Sequence, residues 1–363
     1  MKNTFKNKII ILFCSIFICF FLGELTIRTK DALNGSNFFS NEGRDKLAIK
    51  KNTIVPFRIF GPNYYTEKDS VKYISSTHKE LYPFIKSKNT FRIVCFGGST
   101  TDNPYAYKDY KIHYPLMLQR LLKESYPNKN IEVINVGSAA YSTAHLLIVL
   151  TLDVISWSPD LVIISENVND LDVEYMADFH LDYSNKYKRL VPADYYKEYT
   201  VMNALFRWSS FYWFIKGKLE PGPTSNSVPE KEIVRIIDDN VPTEISQYVF
   251  RRNLLNFYYI ANKWGIPVLY ATQPMDSTTG NYDFLSMSEA TKRYKATIKP
   301  HHKFFNNIIK EVAINTNSYF LDNDSLFGGE SRYFIDEVHY SKSGIQKLAK
   351  NYYDYIISQN IIK

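Results

Sequence analysis

From Phe91 onward, short apolar runs alternate with longer stretches of helical period, and this alternation narrows the possible folds more than any other feature of the chain. Runs of four to eight apolar residues separated by amphipathic helices are the mark of βαβ units and a parallel sheet. Five strands are predicted: Arg92 to Phe96, Ile131 to Val136, Leu161 to Ser165, Pro267 to Thr272 and Tyr319 to Leu321. Helical crossovers lie between them. In "YPLMLQRLLKESYP", Leu118, Leu121 and Leu122 share one face, "AHLLIVLTLDVIS" follows the second strand, and Gly265 is placed to cap the helix before the fourth. A further helix is expected in "TKRYKATIKPHHKFFNNIIKEVAINT", interrupted at Pro300, and a last one in "KSGIQKLAKNYYDYIISQ".

The N-terminus constrains location. Lys2, Lys6 and Lys8 precede the apolar run from Ile9 to Gly23, and no small-residue cleavage site follows Phe20, Phe21 and Leu22. This predicts an uncleaved signal anchor with its N-terminus in the cytoplasm and the rest of the chain outside the membrane. The run is short for a full span, which asks Leu25 to Ile27 to lie in the far interface. Cys14 and Cys19 fall in the span and Cys95 in a strand, leaving no disulfide framework for the outer domain and no lipoprotein signature. The 44 basic and 37 acidic residues are spread along the chain, which argues against a nucleic-acid partner.

Three segments follow: residues 1–28 as cytoplasmic tip and transmembrane anchor, 29–90 as stalk and irregular lead-in, and 91–363 as an α/β domain. Within the last, 171–232 reads as an aromatic-rich insertion, either a cap over the sheet or a helical insertion packing its own aromatics. Tyr195, Tyr196, Trp208, Tyr212 and Trp213 could stack on sugar rings or form core.

Open α/β sheets bind ligands at the carboxyl ends of their strands. There the sequence places Gly97-Gly98-Ser99, then Gly137 in "NVGSAAYS", then "ENVND" with Asn167, Asn169 and Asp170; Asp336 stands three residues before His339 near the other end. Each alone is an ordinary turn. Together they hold the parts of nucleophilic acyl transfer: Ser99 as nucleophile, His339 as its base, Asp336 to orient the imidazole, and an oxyanion hole from the N–H of Ser99, the N–H of Gly137 and the Asn169 amide. Asp102 is expected in a solvated turn near Ser99, Asp170 in a structural role, and His301 and His302 lack acidic partners at metal spacing.

The ordered set Ser99, Gly137, Asn169 and Asp336/His339 resembles the SGNH hydrolase superfamily, also called GDSL esterases, from Phe91 to about Lys350; "ATQP" at Ala271 to Pro274 is similar too. The resemblance implies a three-layer α/β/α sandwich with a flavodoxin-like five-stranded parallel sheet, and a serine esterase that needs no cofactor or metal. Two positions depart from the pattern. Gly98 stands where the family commonly has aspartate, and Asn167 where it usually has glycine, a turn that asparagine tolerates through its access to left-handed backbone. The expected substrate is an O-acyl group, acetyl above all, on an extracytoplasmic carbohydrate. Transfer of the acyl group to a sugar hydroxyl, and non-catalytic carbohydrate binding or assembly, are the alternatives left open.

Overall fold

The computed structural model describes residues 2–33, 60–175, 179–187, 208–219, 243–276 and 289–363, together with 38–39, 57–58 and 206. The chain divides into two compact units, Met1–Ile54 with Arg189–Glu232, and Val55–Lys188 with Ile233–Lys363.

In the larger unit the strands are β1 (Tyr65–Lys68), β2 (Val71–Ser75), β3 (Leu81–Pro83), β4 (Thr90–Gly97), β5 (Asn130–Asn135), β6 (Leu161–Ser165), β7 (Val268–Ala271) and β8 (Tyr319–Leu321). The last five form one parallel sheet in the order β5-β4-β6-β7-β8. That is the flavodoxin-like order, whose topological switch lies at the carboxyl ends of the first and third strands, here β4 and β6. All five predicted strands are present, and two of them, Leu161–Ser165 and Tyr319–Leu321, have the predicted ends.

The helices of this unit are α2 (Ser99–Asp102), α3 (Pro104–Tyr110), α4 (Tyr114–Ser125), α5 (Thr143–Leu152), α6 (Val168–Glu174), α7 (Ser184–Tyr187), α9 (Glu244–Lys263), α10 (Glu289–Asn315), α11 (Asn323–Phe327) and α12 (Lys342–Ser358). Side chains alternate across the sheet and build two cores. Val94, Phe96, Ile134, Val162, Ile164 and Tyr270 meet α5, α9 and α10 on one face. Ile93, Cys95, Val133, Ile163 and Leu269 meet α4 and α12 on the other. Burial on both faces is why these strands read as unbroken apolar runs. Pro300 does not end its helix: α10 runs through it. Proline inside a helix forfeits one backbone hydrogen bond, and packing of Ile298, Phe305, Ile308 and Ile309 offsets that cost.

The expected irregular lead-in holds structure that the sequence reading missed. β1, β2 and β3 form a three-stranded antiparallel sheet, with Tyr65 opposite Ile74 and Ile74 opposite Tyr82. It is tied to the large sheet through buried polar groups. Tyr64 donates its hydroxyl to Val136 O (2.7 Å) and Tyr82 to Val133 O (3.1 Å). Arg92, fully buried on β4, pairs with Glu132 (2.7 Å) and donates to the carbonyls of Pro83 and Trp157.

The smaller unit contains α1 (Lys2–Leu33) and α8 (Ser210–Leu219). The stretch of α1 from Lys6 to Leu33 is long and apolar enough to cross a membrane, and its most apolar 18-residue window has a mean hydropathy of 2.5 and is not buried in the protein. The helix continues past Gly23, which answers the shortness of the apolar run. Glu24 is carried on it by accepting hydrogen bonds from Ser209 Oγ (2.8 Å) and the N–H groups of Ser210 (3.0 Å) and Phe211 (2.9 Å), while pairing with Arg28 (2.6 Å). Phe20 packs against the rings of Phe206, Trp208 and Phe211, and Tyr212 stacks on Phe206. Trp208 and Tyr212, named as possible sugar-stacking residues, thus pack within their own unit; Tyr195, Tyr196 and the Trp213 side chain lie outside the described residues.

Candidate active site

Ser99 opens α2 immediately after β4. As the first residue of a helix its N–H has no intrahelical acceptor. Gly98, before it, is not left-handed (φ −85°, ψ −144°), and a side chain there would have to displace its neighbours. A Cβ at this position would lie 2.1 Å from Asn169 Nδ2 and 2.6 Å from Glu166 Oε2.

His339 reaches Ser99 from the other side. Its loop is held by a bridge between Phe334 and Tyr340, by Ile335 N–H donating to His339 O (2.9 Å), and by Ser341 N–H donating to Tyr333 O (2.9 Å). His339 Nε2 lies 2.8 Å from Ser99 Oγ and its Nδ1 lies 2.7 Å from Asp336 Oδ2. Asp336 Oδ1 in turn accepts the N–H groups of Val338 (2.9 Å) and His339 (2.8 Å). Burial pushes the Asp336 carboxyl up, but the hydrogen bonds and charge of His339 outweigh it and hold the group below the usual aspartate range. A charged Asp336 fixes the imidazole with its proton on Nδ1 and leaves Nε2 to accept from the serine. Tyr105 closes one side, its ring edge-on to the imidazole at 4.9 Å.

Asn169 sits in the turn after β6. One hydrogen of its amide goes to Tyr141 O (2.9 Å), which fixes the amide plane and leaves the second hydrogen for a ligand. Gly137 is different. Its N–H donates to Asn135 Oδ1 (2.9 Å) and its carbonyl accepts from Thr77 Oγ1 (2.6 Å), so this N–H is already occupied. Its lack of a side chain serves packing, since a Cβ would stand 2.5 Å from Asp102 N. The expected third oxyanion donor is therefore not free at Gly137.

Two other expectations, for Asn167 and Asp102, need correction. Asn167 is not left-handed (φ −154°): it is buried, and donates its amide to His302 O (2.9 Å) and Asn306 Oδ1 (2.8 Å), bracing the turn against α10. Asp102 is not in a solvated turn; it is buried, with His78 Nε2 3.2 Å from Oδ1. Burial pushes the His78 imidazole down, but the hydrogen bonds and charge of Asp102 raise it above its usual value. Asp170 accepts from the Thr143 N–H (2.9 Å), the Thr143 hydroxyl and the Tyr183 hydroxyl (2.7 Å) and so pins α6 to α5. Among the described residues no cluster of three metal-ligating side chains occurs; His302 is buried without acidic partners, and His301 meets the Tyr175 hydroxyl.

Two residues of the site escaped the sequence reading. Gln273, in "ATQP", accepts from Val168 N–H (2.8 Å) and donates to Thr100 Oγ1 (2.9 Å), linking the Asn169 turn to the nucleophile's helix. Glu166 accepts the N–H groups of Asn167 and Asn169, each at 3.0 Å. Glu166 had only its position directly after β6 to mark it, and Gln273, two residues beyond β7, only its place in "ATQP".

No family model and no curated protein matches the sequence. Among solved structures, the chain is similar to Axe2, an acetylxylan esterase from Geobacillus stearothermophilus, at 16% identity and a TM-score of 0.44, over 74% of this chain and 96% of that one. It is also similar to a lipase/acylhydrolase from Enterococcus faecalis (17% identity, TM-score 0.42, 74% and 96% covered). A third is LAE5, an α/β hydrolase from the metagenome of Lake Arreo, Spain (12% identity, TM-score 0.43, 77% and 99% covered). Identities this low leave the chemistry to be read from the site itself.

Proposed function

We propose that this chain is a serine esterase of the SGNH type, anchored in a membrane by α1, that removes O-acyl groups, acetyl foremost, from an extracytoplasmic carbohydrate. The observation that carries the reading is the continuous hydrogen-bonded chain Ser99–His339–Asp336. As an ester carbonyl enters, His339 Nε2 takes the Ser99 proton while Oγ bonds to the carbonyl carbon. The negative charge on the carbonyl oxygen is met by the Ser99 N–H and the free hydrogen of Asn169, each such donor worth about 3 kcal/mol or more. Collapse breaks the ester C–O bond and His339 returns the proton to the leaving alcohol. Water, deprotonated by the same imidazole, then releases the acid and restores Ser99. The carbohydrate acceptor and the outward-facing orientation rest on the lysines before the span and on the resemblance of the motifs, with Lys2, Lys6 and Lys8 marking the cytoplasmic side.

The test is incubation of the full chain in detergent micelles with an aryl acetate, with and without an oligosaccharide acceptor, alongside labelling by a fluorophosphonate. Acetate release and labelling lost in Ser99→Ala support the reading. Acetyl appearing only on the oligosaccharide would replace hydrolysis by transfer, and absence of both turnover and labelling would leave a binding protein.

A further inference from the structure

Glu166 is the first residue beyond β6 and is 1% exposed. Its Oε1 accepts from Asn167 and Asn169 N–H, whereas Oε2 is buried without a hydrogen-bond partner among the described residues. That second oxygen occupies the volume into which a side chain at position 98 would project. One carboxyl therefore fills the space between the turn before the nucleophile and the turn that presents the Asn169 amide. We propose that Glu166, working in its neutral form, is the positioning residue of this site, holding the Asn169 amide and the Gly98–Ser99 turn in register without adding negative charge beside the oxyanion.

The surroundings support a neutral group. Burial first, and then the charge of Asp170, raise the Glu166 carboxyl to about 8 despite the N–H groups of Asn169 and Asn167 that hydrogen-bond to it. Lys186 on α7, whose charge Glu166 also feels, is engaged by Asp172 (2.9 Å). Among the described residues, the hydroxyls of Tyr187 and Tyr340 also feel Glu166. A charged carboxylate here would oppose the charge that develops on the substrate oxygen; a neutral carboxyl keeps the same shape and does not.

This inference rests on the esterase reading for its kinetic consequence, but the state of Glu166 can be tested without turnover. Wild type, Glu166→Gln and Glu166→Ala, all as the full chain, are compared for aryl acetate kinetics and thermal unfolding from pH 5 to 9.5. Glu166→Gln keeps kcat within roughly threefold and loses the alkaline fall in kcat that wild type shows near pH 8. Glu166→Ala lowers kcat about a hundredfold with little change in KM. A carboxyl raised in the folded chain binds its proton more tightly there than in the unfolded chain. Stability therefore falls as pH rises from the ordinary carboxylate range to about 8. Glu166→Gln flattens that slope whether or not an ester is turned over. A Gln variant whose kcat matches the Ala variant's, or whose unfolding follows wild type at every pH, overturns the proposal. A flattened slope in a chain that turns over no ester leaves Glu166 neutral and overturns its part in catalysis together with the esterase reading.

Discussion

Ser99 stands between two walls that each carry an acid, one half-buried and one fully buried, and the two acids are handled in opposite ways. On the side of the 334–341 loop, Asp336 is given a hydrogen-bonding imidazole and two backbone N–H groups, and its charge is stabilised. On the side of β6, Glu166 is sealed from solvent beside a second buried acid and its charge is penalised. The same functional group thus serves two purposes according to what surrounds it. In the proposed mechanism, the fold supplies a carboxylate where positive charge forms, on His339, and a carboxyl whose charge burial penalises where negative charge forms, near Asn169.

The largest effects should come from breaking the first wall's contact with Ser99. Ser99→Ala and His339→Ala are each expected to lower kcat by about 10⁴-fold or more, because members of such a unit act together; near-normal rates in either would overturn the assignment. Asp336→Asn should follow at about 10³- to 10⁴-fold, since the wrong imidazole tautomer is then favoured. It should also change acid stability. Asp336 is held low in the folded chain, so its contribution is present above the ordinary aspartate range and lost as pH falls below it. Unfolding curves of wild type and variant should therefore converge in acid. On the second wall, Gly98→Ala displaces the Asn169 amide and is expected to cost about 10²-fold in kcat with an intact fold by circular dichroism. Glu132→Ala acts on neither wall. It strands Arg92 in the core and should cost about 3 to 5 kcal/mol of stability by denaturant unfolding, while leaving kcat of the folded fraction unchanged.

How much of this was legible follows from the physics of each part. The five parallel strands were plain because burial on both faces makes them continuously apolar. β1 was not, since Tyr65–Lys68 is exposed along its whole length and shows no alternation. Ser99, His339, Asp336 and Asn169 are brought together as their positions at strand ends and in one late loop suggested. Gly137 could be located but not its N–H, because the competing acceptor, Asn135 Oδ1, is a side chain two residues back. Glu166 was invisible for a related reason. A single glutamate at the end of an apolar run looks like the point where a strand meets water, and only the fold shows that it turns inward.

The order of the chain adds one more consequence. Serine and histidine meet across 240 residues, and the loop bearing the histidine is seated by the packing of α12. During synthesis the serine is therefore exposed long before its base exists. On the proposed mechanism, the hydroxyl is an ordinary, weakly nucleophilic alcohol until the final helix docks, so an unfinished chain is spared reaction with the esters around it.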